Sequence, residues 1–226
     1  MLRHGKLLIV KKTLLVPLAA LSLLLGAACG DANQSAGDDD VQATACEYPM
    51  GGDPAKPVDP PPTTDVNNAG TSTVILSLTA GDVEITLDRA STPCTVNSFE
   101  SLATQGYFDD TACHRLTDTG IFVLQCGDPT ETGTGGPGYS FADETDDSMK
   151  YPAGTVAMAN AGPDTNGSQF FLVWDDSSVL DPDYTVFGTM DQAGLDVVAG
   201  IAAEGVSADD DTSPIAEAQI TSVTLG

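Results

Sequence analysis

Two short apolar alternations constrain this chain more than any other feature it carries. Val74, Leu76 and Leu78 recur at every second position, and after Thr79-Ala80-Gly81-Asp82 the pattern resumes with Val83, Ile85 and Leu87. Successive side chains of a strand point to opposite faces, so each run presents one apolar face. Two such runs around a Gly-containing turn predict an antiparallel hairpin. Further short strands are predicted over 112–116, 122–126, 155–159, 169–174 and 184–190, with Ile220, Val223 and Leu225 marking a closing strand. Thr92-Pro93 reads as an N-cap followed by proline at the first helical position. Val96, Phe99, Leu102 and Ala103 then share one helical face, and Gly106 supplies the stop. A second amphipathic helix fits Leu195, Val198, Ile201 and Ala202. Residues 71–226 thus form one domain, mainly β with two helices, long enough for a single core. Many short strands with Gly- and Pro-rich turns point to a barrel or a sandwich, and periodicity does not choose between them.

The chain before residue 71 is organised differently. Residues 1–28 hold no acidic side chain and four basic ones, Arg3, Lys6, Lys11 and Lys12, followed by an apolar run from Thr13 to Ala28. Basic, then apolar, then small is the order of a secretory signal, and the apolar run is shorter than the ~20 residues that span a bilayer comfortably. Leu25-Gly26-Ala27-Ala28-Cys29 resembles a bacterial lipoprotein cleavage site, with Gly26 where Leu is usual. That resemblance implies a lipidated Cys29 and a domain anchored outside the cytoplasmic membrane. Residues 29–70 contain Asp38-Asp39-Asp40 and Asp59-Pro60-Pro61-Pro62 and few large apolar side chains. Such a segment is expected to be an extended, mobile tether, with Cys46 and Tyr48 able to pin part of it.

Beyond residue 28, 33 acidic side chains face only Lys56, Arg89, Arg115 and Lys150. That surface repels nucleic acid and anionic headgroups, which excludes both as partners. With Cys29 assigned to lipid, Cys46, Cys94, Cys113 and Cys126 remain, and an even number in an exported chain predicts two disulfides. Of the possible pairs, Cys94–Cys113 is the preferred one. A metal site from Cys113, His114 and Cys126 lacks the close ligand pairs of a zinc knuckle, so no metal is expected.

Two segments carry the chemistry. The first is Cys113-His114-Arg115-Leu116 with Ile121-Phe122-Val123-Leu124-Gln125-Cys126-Gly127-Asp128; the second runs from Met158-Ala159-Asn160 through Gly167-Ser168-Gln169-Phe170-Phe171. Together they resemble the two signature segments of cyclophilins, in order and across residues 72–226. The resemblance implies a closed eight-stranded antiparallel barrel capped by two α-helices, acting as a peptidyl-prolyl cis-trans isomerase. An Xaa-Pro amide rotates slowly because resonance sets a barrier of ~18–20 kcal/mol. No bond is made or broken, so the reaction calls for no nucleophile, metal, acid–base pair or cofactor. The catalyst must grip proline in an apolar socket and stabilise a twisted amide, which a fixed, permanently charged donor does well. Lowering the barrier by ~7 kcal/mol accelerates exchange roughly 10⁵-fold.

By resemblance Arg115 is that donor, with Gln125 orienting it and hydrogen-bonding the substrate. Phe122, Val123, Phe171 and Leu180 would form the socket, Asn160 would bind substrate backbone, and Gln169 would support the same wall. Tyr184 stands where many members carry histidine and keeps an aromatic face and a hydroxyl donor. Val179 stands where many carry tryptophan, which implies weaker binding of cyclosporin. Between Arg115 and Phe122 lie two residues more than the commonest spacing, implying a longer hairpin tip. Gly133 to Gly138 satisfies G-x-G-x-x-G but precedes Tyr139-Ser140-Phe141, not a capped helix, and so reads as a loop. In cyclophilins the corresponding loop borders the substrate groove. His114, adjacent to Arg115 on a strand, should face the core as a buried hydrogen-bonding residue. The expected partners are proline-containing unfolded or exported polypeptides, bound by a monomer. The alternative is a low-turnover peptide-binding module on the same barrel. The longer tip and altered rim favour it; Arg115, Phe122, Gln125, Asn160 and Phe171 argue for an enzyme.

Overall fold

The first hairpin forms from the alternation that predicts it: β3 (Thr71–Leu78) pairs antiparallel with β4 (Gly81–Asp88), with Val74 opposite Ile85 and Leu76 opposite Val83. All four of those side chains are fully buried. The computed structural model describes residues 43–226. The signal segment, Cys29 and the first part of the expected tether lie outside them. Before the hairpin come β1 (Ala43–Thr44) and β2 (Val66–Asn67), paired with each other. After it come α1 (Pro93–Thr104), β5 (Thr111–Ala112), β6 (Arg115–Thr119), β7 (Ile121–Cys126), β8 (Thr155–Met158), β9 (Phe170–Val173), β10 (Val186–Met190), α2 (Gln192–Ala203) and β11 (Gln219–Leu225).

Nine strands make the main sheet, in the order β5-β11-β3-β4-β10-β8-β9-β7-β6, all antiparallel. Its two ends, β5 and β6, are separated in the chain by Cys113 and His114 alone. The sheet therefore closes on itself through one bent strand, held by Cys113 N–H donating to Ala218 O (2.8 Å) and Leu116 N–H to Thr212 O (2.7 Å). Counting β5 and β6 as one bent strand restores the eight expected. β6 pairs antiparallel with β7, and the two extra residues before Phe122 lengthen that ladder as far as Thr119 opposite Ile121, with Gly120 alone making the turn, so the added length is paired strand and not loop.

The main core is shared by the ring and both helices, with Leu76, Ile85, Phe99, Phe108, Phe170 and Phe187 among its members. A second, smaller cluster lies on the other face of β7, β8 and β9: Val123, Tyr151, Ala157, Phe171 and Val173. These strands are apolar on both faces, which is why Phe170–Val173 reads as a continuous run and not as an alternation.

Each helix is capped differently. Asp191 accepts from Gly194 N–H at 2.7 Å and caps α2 within its own sequence. Thr92 does not cap α1; its hydroxyl donates to Asp88 O at 2.9 Å. The Glu144 carboxylate takes that role from some fifty residues away, accepting from Cys94 N–H (3.0 Å), Thr95 N–H (2.8 Å) and the Thr95 hydroxyl (2.7 Å). A carboxylate there also favours the helix dipole.

Two further expectations are corrected. The disulfides are Cys46–Cys94 and Cys113–Cys126, not Cys94–Cys113. Cys113 lies beside Cys126 at the open end of the β6–β7 hairpin, Cα–Cα 4.0 Å, whereas Cys94, in the first turn of α1, meets Cys46 of the N-terminal extension. The segment 43–70 is also no free tether but a strap laid on the domain. Tyr48 is buried, with its ring edge-on to Tyr139 and Phe141 at 5.5 and 5.6 Å and its hydroxyl donating to Cys94 O at 2.7 Å. Lys56 Nζ donates to Gly106 O (2.6 Å) and Asp109 O (2.9 Å). Few apolar side chains sufficed, because the crosslink and one aromatic anchor offset the ordering entropy that composition alone would leave unopposed.

Candidate active site

The β6–β7 ladder sets Arg115 directly opposite Gln125, and cross-strand partners on one face lie within side-chain reach. Arg115 Nη1 donates to Gln125 Oε1 at 3.0 Å. Gln125 Nε2 donates in turn to Gln169 Oε1 (2.8 Å), and Gln169 Nε2 to Gly135 O (2.9 Å). The loop carrying Gly135 is held by Asp128, a buried residue whose carboxylate accepts from Gly135 N–H (3.0 Å) and from both Thr130 N–H and its hydroxyl (2.7 Å each). Burial alone would push the Asp128 pKa up; the hydrogen bonds from Gly135 and Thr130 outweigh it and hold the carboxyl below its usual range. The guanidinium thus ends a relay of amides anchored on a buried anion. Among the described residues the only ion pair is Arg89–Glu100, at 2.8 Å, so the Arg115 charge is not neutralised by a carboxylate.

Beside it lies a notch of 130 Å³ lined by Arg115, Ile121, Val123, Gln125, Ala159, Asn160, Phe171, Leu180 and Tyr184. A drug-sized ligand needs several hundred cubic ångströms; this space accepts one small ring. The Tyr184 ring meets Phe171 edge-on at 5.5 Å. The segment bearing Leu180 and Tyr184 is fastened by Tyr151, whose hydroxyl donates to Tyr184 O and accepts from Tyr184 N–H, each at 3.0 Å. Burial raises the Tyr151 pKa, so the hydroxyl stays protonated and able to do both.

The structure brings together Arg115, Val123, Gln125, Asn160, Phe171, Leu180 and Tyr184, with Gln169 behind Gln125. It does not bring Phe122 among them. Phe122 lies edge-on to Trp174, ring centroids 5.0 Å apart, and Ile121 lines the notch in its place. The signal was available, since Phe122 and Val123 are adjacent on a strand and cannot share a face, while Ile121, Val123 and Gln125 can. Asn160 spends its side chain locally: Nδ2 donates to Asp183 O (2.9 Å) and Oδ1 accepts from Gly162 N–H (3.2 Å). Val179, next to Leu180, is 77% exposed. His114 departs from expectation too, because neither of its buried ring nitrogens has a hydrogen-bond partner.

A ring of antiparallel strands with two helices, bearing an unneutralised guanidinium over a one-ring apolar notch, defines a barrel built to hold a small cyclic group beside a positive charge. Residues 73–225 match the family described as cyclophilin type peptidyl-prolyl cis-trans isomerase/CLD, and the chain belongs to that family. It is 48% identical over 196 residues to a probable peptidyl-prolyl cis-trans isomerase B of Mycobacterium leprae, covering 80% of this chain and 66% of that protein. A counterpart from Mycobacterium tuberculosis is also 48% identical, with 80% of this chain and 63% of that protein covered. The chain thus spans just under two thirds of the length of these relatives. A crystal structure of a Cryptosporidium parvum cyclophilin type isomerase superposes with a TM-score of 0.64 at 29% identity, covering 70% of this chain and 98% of that one. The same Cryptosporidium protein, solved in the presence of the dipeptide Ala-Pro, matches with a TM-score of 0.62 at 30% identity over 68% of this chain and 98% of that one.

Proposed function

We propose that this protein is a peptidyl-prolyl cis-trans isomerase that accelerates the folding of exported polypeptides. The observation that carries the reading is the Arg115 guanidinium, fixed at 3.0 Å by Gln125 at the mouth of an apolar notch. Proline occupies the notch against Val123, Phe171, Leu180 and Ile121, which exclude water from the ring. As the amide twists, its nitrogen becomes pyramidal and its lone pair localises. The Arg115 donors not spent on Gln125 meet that lone pair, and they stabilise the twisted amide more than the planar one. Asn160, its side chain committed to the rim, offers substrate its main chain.

Two disulfides among the described residues accord with an oxidising compartment. The basic, apolar, Cys29 order at the N-terminus supports a lipid anchor in the cell membrane. Uncatalysed prolyl isomerisation takes tens of seconds or longer, and its catalysis needs no ATP, which suits a folding catalyst outside the cytoplasm. Cys29→Ser is expected to release the protein from the membrane fraction and remove the lipid mass from the intact chain. Isomerase assays on an Xaa-Pro tetrapeptide test the activity itself. Arg115→Ala should lower kcat/KM by about 10²–10³. An unchanged rate would overturn the site, and peptide binding without faster exchange would mark a holding module.

A further inference from the structure

Next to the notch is a second cavity of 560 Å³, and the two share Gln125, Ala159 and Asn160. Because the two adjoin, a residue within one or two positions of a proline in the notch can reach the second cavity, an extended chain advancing ~3.3 Å per residue. One side of this cavity is the Gly133–Gly138 loop. Lying against that loop and extending the same wall are Gly51, Gly52 and Asp53, which belong to the strap and not to the barrel.

The strap is held in place by several independent ties. Cys46 is bonded to Cys94, Met50 bridges Tyr139, and Gly51 N–H donates to Gly138 O (2.9 Å) while Ala55 N–H donates to Gly136 O (2.8 Å). The approach is close enough that a Cβ at Gly138 would lie 3.0 Å from both Gly52 O and Pro54 N. Only glycine permits the strap to lie so near the loop. The wall is therefore preorganised, and a side chain entering the cavity meets it without first having to order it.

Asp53 is the one charged residue lining this cavity; the others are small, neutral or amide-bearing. No hydrogen bond or ion pair engages its carboxylate among the described residues, and it is exposed at the cavity mouth. A roomy polar pocket with a glycine-rich wall suits a long side chain. A single unspent carboxylate at its mouth selects a cationic one.

We propose that Gly51–Asp53 is a specificity wall, by which the protein prefers proline-containing polypeptides with Lys or Arg within about two residues of the proline. This rests on the isomerase reading and adds the substrate class. An exposed carboxylate–cation contact is worth a few-fold and weakens with salt. The acidic surface as a whole also attracts cations, so the experiment must separate local from general attraction.

The test uses exchange NMR on peptides carrying Lys or Gln at one position, two residues before or two residues after proline. Wild type is expected to show a kcat/KM ratio for Lys over Gln of about two to five at low salt at one of those positions. In Asp53→Asn the ratio should fall towards one, and in Asp53→Lys a Glu peptide should be favoured over Gln. Ratios within each variant cancel any general loss of activity. Should wild type turn over the peptides with the same Lys/Gln ratio as Asp53→Asn, the wall is not selective and the inference is overturned. Should wild type accelerate no Xaa-Pro peptide, an alanine-flanked one included, the isomerase reading itself fails.

Discussion

The two sides of the notch are held by opposite means. Ile121, Val123, Phe171, Leu180 and Tyr184 form a side whose side chains are held by packing, an extension of the small cluster outside the main core, with the Tyr151 hydroxyl fastening only the Tyr184 main chain. Arg115 and Gln125 form a side held by single hydrogen bonds in series, which run behind the notch through Gln169 and Gly135 to Asp128. Packing is non-directional, so its parts can be exchanged for others of like volume. A serial relay has no redundancy, because each amide fixes the next. The apolar side thus decides what is gripped, and the polar side decides whether the grip catalyses anything.

The sharpest way to break this contrast is at the disulfide behind the polar side, since Cys113 lies two residues before Arg115 and Cys126 directly after Gln125. The double variant Cys113→Ser/Cys126→Ser should lose about 3 kcal/mol of stability in denaturant unfolding. Its remaining folded fraction should turn over peptide more slowly. Next in size is Gln169→Leu, which cuts the relay without touching the notch. About a tenfold fall in kcat is expected, ~1.4 kcal/mol in the barrier, with KM changed less than twofold. A rise in KM alone would show that the relay positions substrate and not Arg115. Phe171→Leu probes the opposite side: KM should rise about threefold with kcat intact, at a stability cost below ~1.5 kcal/mol.

The smallest effect belongs to His114, behind Arg115. Burial, the largest influence, lowers its pKa; Asp128 and Glu131 oppose this and Arg115 adds to it. The folded protein therefore binds this proton less readily than the unfolded chain does. Stability is fully present above the ordinary histidine pKa of about 6.5 and is lost as pH falls below it towards the folded value. Thermal unfolding followed from pH 7.5 to 5 should show that decline, and His114→Phe should flatten it. An NMR titration placing His114 above 6.5 would reverse the sign.

Much of the fold and part of the site could be read in the residues. The hairpin at Val74–Leu87, the faces of both helices and the segments bearing Arg115, Gln125 and Phe171 are local signals, each carried by a period or a fixed spacing. Phe122 shows where a resemblance misleads: strand alternation favoured Ile121, and the structure places Ile121 on the notch. Glu144 was invisible as a helix cap because nothing in its neighbourhood mentions α1. The strap has no local signature for a similar reason, its ordering resting on Cys46–Cys94, Tyr48 and main-chain contacts with a loop about ninety residues away.

By itself the chain determined which residues face which way along each strand and helix, because a side chain's direction follows from backbone period. It also determined that a guanidinium and an amide would be neighbours, once their strands paired. Only the tertiary structure decided which cysteines met, what capped α1, and that residues 51–53 would wall a cavity beside the notch. Those outcomes depend on which distant surfaces come into contact, and no local period encodes that.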